Sequence, residues 1–137
     1  MNFIEKPNHF EMKSLLSTLW IFIFLNILFK DIHELLRAGY IEQMISGTVN
    51  GNQVTELTLL IAAIGLQLPI SMIVLSRVLA YPINRRLNMI LPVLTAVIIL
   101  TNEPNPDPDN IFFAIINVAV SGLIIWLAWQ WPNPKPA

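Results

Sequence analysis

Four apolar stretches dominate the sequence and determine the solvent in which the chain folds. They cover residues 15–36, 54–79, 87–101 and 111–131. A helix of about 20 apolar residues crosses the hydrocarbon core of a bilayer. Only 12% of the residues are charged, about half the fraction that is typical of a soluble domain. The sequence therefore predicts one membrane domain, residues 1–137, folded as an all-α, antiparallel four-helix bundle.

The distribution of lysine and arginine predicts the orientation of the bundle. Four spans place both termini and the middle loop on one side of the membrane, and that side carries Lys6, Lys13, Arg77, Arg85, Arg86 and Lys135. The other side carries only Lys30 and Arg37, near the end of the first span. Because cytoplasmic loops are enriched in positive charge, we expect both termini to be cytoplasmic, with the protein in a bacterial inner membrane.

Several classes of function lack the residues that they need. The chain has no cysteine, which excludes disulfides, thiolate nucleophiles and cysteine-ligated zinc. A net charge of −1 without a basic stripe predicts no nucleic-acid partner. Catalytic-triad, phosphate-loop and metalloprotease motifs are absent from the sequence. We predict no metal site, and the sequence leaves any cofactor unknown. It favours a non-enzymatic protein but does not decide whether the protein is an enzyme.

The segments between the spans differ in character. Residues 37–53 combine helical apolar spacing with two turn signals, which predicts a short amphipathic segment at the membrane interface followed by a turn. Residues 82–86 are interpreted as a tight connection, and residues 102–109 as an extended acidic loop. Ser14 is predicted to cap the first span, and the last residues, 132–137, form a proline-rich tail.

Asp109 or Asn110 is expected to cap the fourth span. Further along the spans, five polar side chains are expected near the middle of the bilayer. The five are Asn26, Gln67, Thr95, Asn117 and Ser121. Because amides and hydroxyls are costly in hydrocarbon without a partner, we expect these five to face inward and bond to one another. They could join the helices or surround a ligand, and the sequence leaves both readings open.

A charged cluster lies at the outer end of the first span. It comprises Lys30, Asp31, His33, Glu34 and Arg37, with Glu56 entering from the second span. The cluster could be a solvated, paired interface, with Lys30 and Glu34 pairing at i, i+4 and Glu34 and Arg37 pairing at i, i+3. Alternatively it could border a polar cavity that binds a headgroup or relays protons, since His33 can change charge near neutral pH. Arg77, Arg85 and Arg86 are predicted to contact anionic lipid headgroups.

Several segments in the first two thirds of the chain form a distinctive set. They are Leu19-Trp20-Ile21-Phe22 with Asn26 and Asp31, Ser46-Gly47-Thr48-Val49 with Gly51, Pro69-Ile70, Leu75-Ser76-Arg77-Val78-Leu79, and Asn84-Arg85 with Asn88. Together they resemble a family of small, uncharacterised bacterial four-span integral membrane proteins. The resemblance implies that Asn26, Asp31, Ser76, Arg77, Asn84 and Arg85 belong to a family pattern. The layout also resembles the DoxX-like group, some members of which are associated with quinone-linked oxidoreductases. Architecture alone carries no catalytic residue over.

Three functional hypotheses follow from these features. The leading one is a module that binds or moves a small amphiphile or lipid-like ligand. Its outward-opening pocket would lie between spans one, two and four, with Asn26, Gln67 and Asn117 deepest. The second is a structural or accessory subunit of a larger membrane complex, and the third is a DoxX-like quinone-linked oxidoreductase subunit. Membrane lipids are the expected partners, and a homo-oligomer or a larger complex is left open.

Overall fold

A computed structural model describes residues 7–101 and 107–133. Its helices are α1 (His9–Leu35), α2 (Tyr40–Ile45), α3 (Glu56–Val78), α4 (Tyr81–Thr101) and α5 (Pro108–Gln130). Strands β1 (Thr48–Val49) and β2 (Asn52–Gln53) pair as a short antiparallel hairpin. Most of the predicted loop 102–109 and of the predicted tail lies outside the described residues.

Four of the described helices, α1, α3, α4 and α5, are long and apolar enough to cross a membrane. They pack in a ring, in which α1 and α4 each contact both α3 and α5. Most of their large apolar side chains face outward, as expected for a surface that lipid covers. This arrangement confirms the predicted all-α membrane bundle.

The bundle is packed tightly at the end near the described termini. Leu16 and Trp20 of α1, Met72 of α3 and Ile124 of α5 are fully buried there. The opposite end is more open, because the buried residues of α3, which are Pro69, Met72 and Ser76, all lie in its C-terminal half. Residues 56–64, which begin α3, are exposed. The helices therefore enclose space at the end that carries α2 and the hairpin.

Helix α1 begins at His9, earlier than the start predicted near Ser14. Asn8 is the N-cap, and its side chain accepts a hydrogen bond from the backbone N–H of Glu11 at 2.9 Å. The Glu11 carboxylate accepts one from the backbone N–H of Asn8 at 2.8 Å. This reciprocal capping box satisfies two N–H groups that the first turn of the helix leaves without partners. The cap predicted at Ser14 is therefore wrong.

Helices α4 and α5 also begin earlier than predicted. Helix α4 begins at Tyr81, so residues 82–86, predicted as a connection, form its first turns. Helix α5 begins at Pro108, so Asp109 and Asn110, predicted as caps, lie in its first turn. Both starts place proline in the first turn, where its missing N–H removes no helical hydrogen bond.

The connection between α1 and α3 contains the predicted helical segment and turn. Helix α2 is followed by the hairpin, whose turn residues Asn50 and Gly51 have φ angles of 51° and 79°. Two successive positive φ angles are typical of the type I′ turn, whose twist matches paired strands. The location of this connection at the membrane interface stays a prediction.

Candidate ligand-binding cavity

A cavity of about 1360 Å³ lies among α1, α3, α4 and α5 in the more open half of the bundle. Its walls come from α3 between Thr58 and Leu68 and from α5 between Asn110 and Ala119. Helix α1 contributes from Ile27 onward, and α4 contributes its last two turns. Ligand pockets for drug-sized molecules typically measure about 300–1,000 Å³, so this space can hold a larger, lipid-like molecule.

The cavity wall is largely apolar, with a few polar side chains. The polar lining residues are Lys30, Asp31, Thr58, Thr95, Thr101, Asn110 and Asn117. Apolar walls with a small number of polar groups that fix a ligand's orientation are typical of small-molecule sites. The composition fits a molecule with a long apolar body and a small polar group.

Thr95 and Asn117 are the polar lining residues that lie deepest in the bundle. Asn117 lies nine residues beyond Pro108, or about 14 Å along α5, and Thr95 lies six residues before Thr101, or about 9 Å along α4. Their exposed fractions are 4% for Thr95 and 2% for Asn117. Within residues 7–101 and 107–133, Thr95 Oγ1 and Asn117 Oδ1 find no hydrogen-bond partner. Such atoms cost about 1–3 kcal/mol each when nothing bonds to them.

A charged cluster lies beside the cavity, between the end of α1 and the first turn of α5. Glu34, which is 6% exposed, accepts a hydrogen bond of 2.6 Å from the side-chain amide of Asn110. Glu34 Oε1 also lies 3.5 Å from Nη2 of Arg37, which confirms the predicted i, i+3 pair. Asn110 therefore connects the cavity wall to a buried carboxylate.

Arg37 is the centre of this cluster. Its Nη2 donates to both carboxylate oxygens of Asp109, at 3.2 Å and 3.1 Å, and its Nη1 forms an ion pair with Asp107. His33 Nε2 lies 3.3 Å from Asp109 Oδ2. The residues that follow α1 are thereby fixed to the first turn of α5. The arrangement favours a structural role for this cluster beside the cavity.

The structure brings some of the predicted ligand-binding residues to the cavity. Lys30, Asp31 and Asn117 line it, whereas His33 and Glu34 lie in the charged cluster. Asn26 donates a hydrogen bond of 3.1 Å to the backbone carbonyl of Phe113 on α5. It therefore joins two helices, in place of the predicted bonds among the five mid-bilayer side chains.

Three other predicted residues lie outside the cavity wall. Ser121 is buried one turn beyond Asn117 on the same face of α5. Glu56 is exposed at the start of α3. The inward orientation predicted for Gln67 is wrong, because its side chain is exposed. At about 100° per residue, Gln67 lies about 200° around α3 from Gly65, which lines the cavity.

One cavity residue, Asn110, was assigned only as a helix cap by the sequence. It lies seven residues before Asn117, which is two helical turns, and both are buried on the same face of α5. That spacing is the signal that could have placed the two amides in one wall. Thr58 and Thr101 gave no comparable signal, because single threonines are common in membrane helices.

A second polar network lies in the tightly packed end of the bundle. Trp20 Nε1–H donates to Asn88 Oδ1 at 2.7 Å, and Asn88 Nδ2 donates to Asn84 Oδ1 at the same distance. Asn84 Nδ2 in turn donates to the backbone carbonyl of Ser76 at 2.6 Å. Because its members bond to one another in a buried region, this network fixes helix packing and offers little to a ligand.

Two of the three arginines predicted as lipid anchors have partners within the protein. Arg77 Nε donates to Ser17 Oγ at 3.0 Å. Arg85 donates to the backbone carbonyls of Ala128 and Trp129 at 2.9 Å and 3.0 Å. These carbonyls belong to the last turn of α5, which has no helical donors for them. Arg86 is exposed, and its contact with headgroups stays a prediction.

The residues that the structure describes contain no group of three histidine, cysteine, aspartate or glutamate side chains arranged to hold a metal ion.

The comparisons with known proteins place the chain in a family. The model of a family of unknown function (DUF6326) matches residues 2–136. The chain belongs to this family. The DUF6326 match also includes the residues after Asn88, from which the resemblance described above quoted no segment. No curated protein and no solved structure matches the chain. Membership of the DUF6326 family brings no activity to the cavity, so the function has to be argued from the site.

Proposed function

We propose that the protein binds a small amphiphile or lipid-like molecule in the cavity among α1, α3, α4 and α5. The observation that carries this proposal is the cavity itself, which has a volume of about 1360 Å³ and a mostly apolar wall. Protein interiors are normally packed with few voids larger than a water molecule. An apolar space of this size between membrane helices is therefore a natural site for an acyl or isoprenoid chain.

The polar residues on the cavity wall include a charged pair and an uncharged pair, which lie at different depths in the bundle. Lys30 and Asp31 are near the end of α1, with Lys30 about 8 Å from its last residue. They supply one charge of each sign where a headgroup would lie. Thr95 and Asn117 are deeper and uncharged. A ligand with polar atoms at two depths would match both pairs.

The cavity's position in the membrane follows from the proposed orientation. With both termini in the cytoplasm of a bacterial inner membrane, the cavity lies in the outer half of the bilayer. The lysine and arginine distribution supports this orientation. The exposed first half of α3 then borders the outer leaflet, from which a lipid-like molecule could enter.

Native mass spectrometry of the purified protein tests the proposal. We expect a stoichiometric lipid-like adduct on the wild-type chain. Ala62→Phe places a large side chain on the cavity wall, whereas Ala63→Phe places the same side chain outside the wall, on the next residue of the same exposed stretch of α3. The adduct should be lost in the first variant and kept in the second. A wild-type chain that never carries an adduct would contradict the proposal.

A second candidate is an accessory subunit of a larger membrane complex, which the exposed Gln67 favours. This amide lies eleven residues into α3, about 16 Å from its start, and an amide facing hydrocarbon is costly. A partner helix would give it a hydrogen bond. Co-purification of one protein in a fixed ratio, lost in Gln67→Leu, would support this candidate. The DoxX-like alternative predicts a quinone as the adduct, which the same mass spectrum would identify.

A further inference from the structure

We propose that the cavity's ligand carries an uncharged hydrogen-bond donor, such as an alcohol hydroxyl, that bonds to Asn117 deep in the bundle. The inference rests on the proposed function and specifies the chemical class of its ligand: a lipid-like alcohol in preference to an ionised acid. It follows from the two buried polar atoms on the cavity wall that the described residues leave without a partner, Thr95 Oγ1 and Asn117 Oδ1.

The atom of Asn117 that needs a partner is a carbonyl oxygen, which accepts hydrogen bonds and cannot donate them. Its side chain lines the cavity and is 98% buried, since only 2% is exposed. A ligand group that satisfies this atom must therefore carry an O–H or N–H. Ester, ether and ketone oxygens are acceptors and leave the atom as it is.

Thr95 supplies the complementary half of the recognition. Its hydroxyl lines the same cavity from α4, the helix that packs against α5. A threonine hydroxyl donates one hydrogen bond and accepts others. A ligand hydroxyl could therefore donate to Asn117 and accept from Thr95. The two residues together suit a hydroxyl better than a group that can only accept.

Charge separates an alcohol from an acid at this depth. The ionisable lining residues are Lys30 and Asp31, both nearer the outer end and opposite in sign. A carboxylate beside Asn117 would face a carbonyl oxygen in an apolar wall, and burying an unpaired charge is far more costly than burying a hydroxyl. The deep position therefore selects an uncharged group.

Apolar contact alone cannot supply this selectivity. An alkyl chain gains little when it leaves lipid for an apolar cavity, because lipid tails are as apolar as leucine. Discrimination between lipids must then come from polar contacts. This makes the hydrogen bond to Asn117 the determinant of which molecule is retained.

Three probes that share one hydrocarbon chain test the inference: oleyl alcohol, oleyl methyl ether and oleate. Their dissociation constants are measured by native mass spectrometry of the full chain at pH 8, where oleate is ionised. For the wild type we expect the alcohol to bind about tenfold more tightly than the ether, and oleate to bind more weakly than the alcohol. The alcohol-to-ether ratio should fall to about one in Asn117→Leu.

Gln67→Leu is the matched control, since it removes an amide from the face of α3 that points away from the cavity. It should keep the tenfold ratio. Thr95→Val is a second test that holds even where Asn117→Leu fails to fold, and it should reduce the ratio as well. Melting curves in detergent establish which variants are folded.

The outcomes separate this inference from the function on which it rests. Equal binding of alcohol and ether by the wild type would overturn the inference and leave a lipid-binding cavity standing. If oleate binds more tightly than the alcohol, the ligand class is not uncharged. If both Asn117→Leu and Thr95→Val keep the tenfold ratio of alcohol to ether, the hydrogen bond is not made at the assigned site. Failure of all three probes to bind would count against the proposed function as well.

Discussion

Trp20 on α1 donates a hydrogen bond of 2.7 Å to Asn88 on α4, which joins two helices that face each other across the ring. Both side chains are fully buried, so the bond passes through the tightly packed half of the bundle. The indole also fills the space between the helices. This residue pair thus connects α1 and α4 in the tightly packed half of the bundle.

The first prediction concerns this pair. Asn88→Leu leaves the indole N–H of Trp20 and the side-chain oxygen Oδ1 of Asn84 buried without the partner that they share. We expect a loss of about 1–3 kcal/mol in the free energy of unfolding, measured by denaturant titration in detergent. Gln67→Leu, which removes an exposed amide, should cause little loss. If Asn88→Leu proves as stable as Gln67→Leu, the network is not what stabilises this half of the bundle.

The second prediction concerns Arg37, which contacts three carboxylates. Arg37→Gln would leave the buried Glu34 without its cation while Asn110 still bonds to it. Because the arginine side chain is 35% exposed, solvent screens the pair, and we expect a loss of about 1–2 kcal/mol. The difference should shrink in high salt. Arg86→Gln at an exposed arginine is the control, and an equal effect of the two substitutions would contradict the assigned role.

Composition and the apolar runs were sufficient to predict the four spans. The starts of α1, α4 and α5 were predicted too late because the first turns of these helices carry polar residues or proline. Hydropathy does not distinguish a polar helical turn from a loop. The capping box of Asn8 and Glu11 was present in the sequence as a local signal that would have placed the start of α1 correctly.

The candidate site was predictable in part. The sequence indicates how deep a residue lies along its helix, but it does not indicate which face of the helix turns toward the bundle. Asn117 and Gln67 are amides at comparable depth, yet one lines the cavity and the other faces outward. Which face of α3 turns inward is set by packing of Met72 and Ser76 against other helices. Those contacts join residues far apart in the chain, so no periodicity within α3 could reveal them.

The third prediction concerns the hairpin after α2. Gly51 has φ of 79°, and a Cβ there would meet nothing within 4 Å. Gly51→Ala should therefore cost about 1 kcal/mol through backbone strain alone, seen as faster amide hydrogen exchange in β1 and β2. Gly122→Ala is the control, because that glycine is helical and equally open. Unchanged exchange in Gly51→Ala would show that the turn does not hold the strands together.

The fourth prediction concerns orientation, which the absence of cysteine makes easy to measure. Single cysteines replace Asn52 in the hairpin and Asn133 beyond α5, both exposed. With both termini cytoplasmic, a membrane-impermeant maleimide should label Asn52→Cys in intact cells and Asn133→Cys only after permeabilisation. The reverse pattern would turn the cavity toward the cytoplasm, so that a ligand would enter from the inner leaflet. Labelling of both positions from one side would contradict four spans, and the cavity would then lack one of its walls.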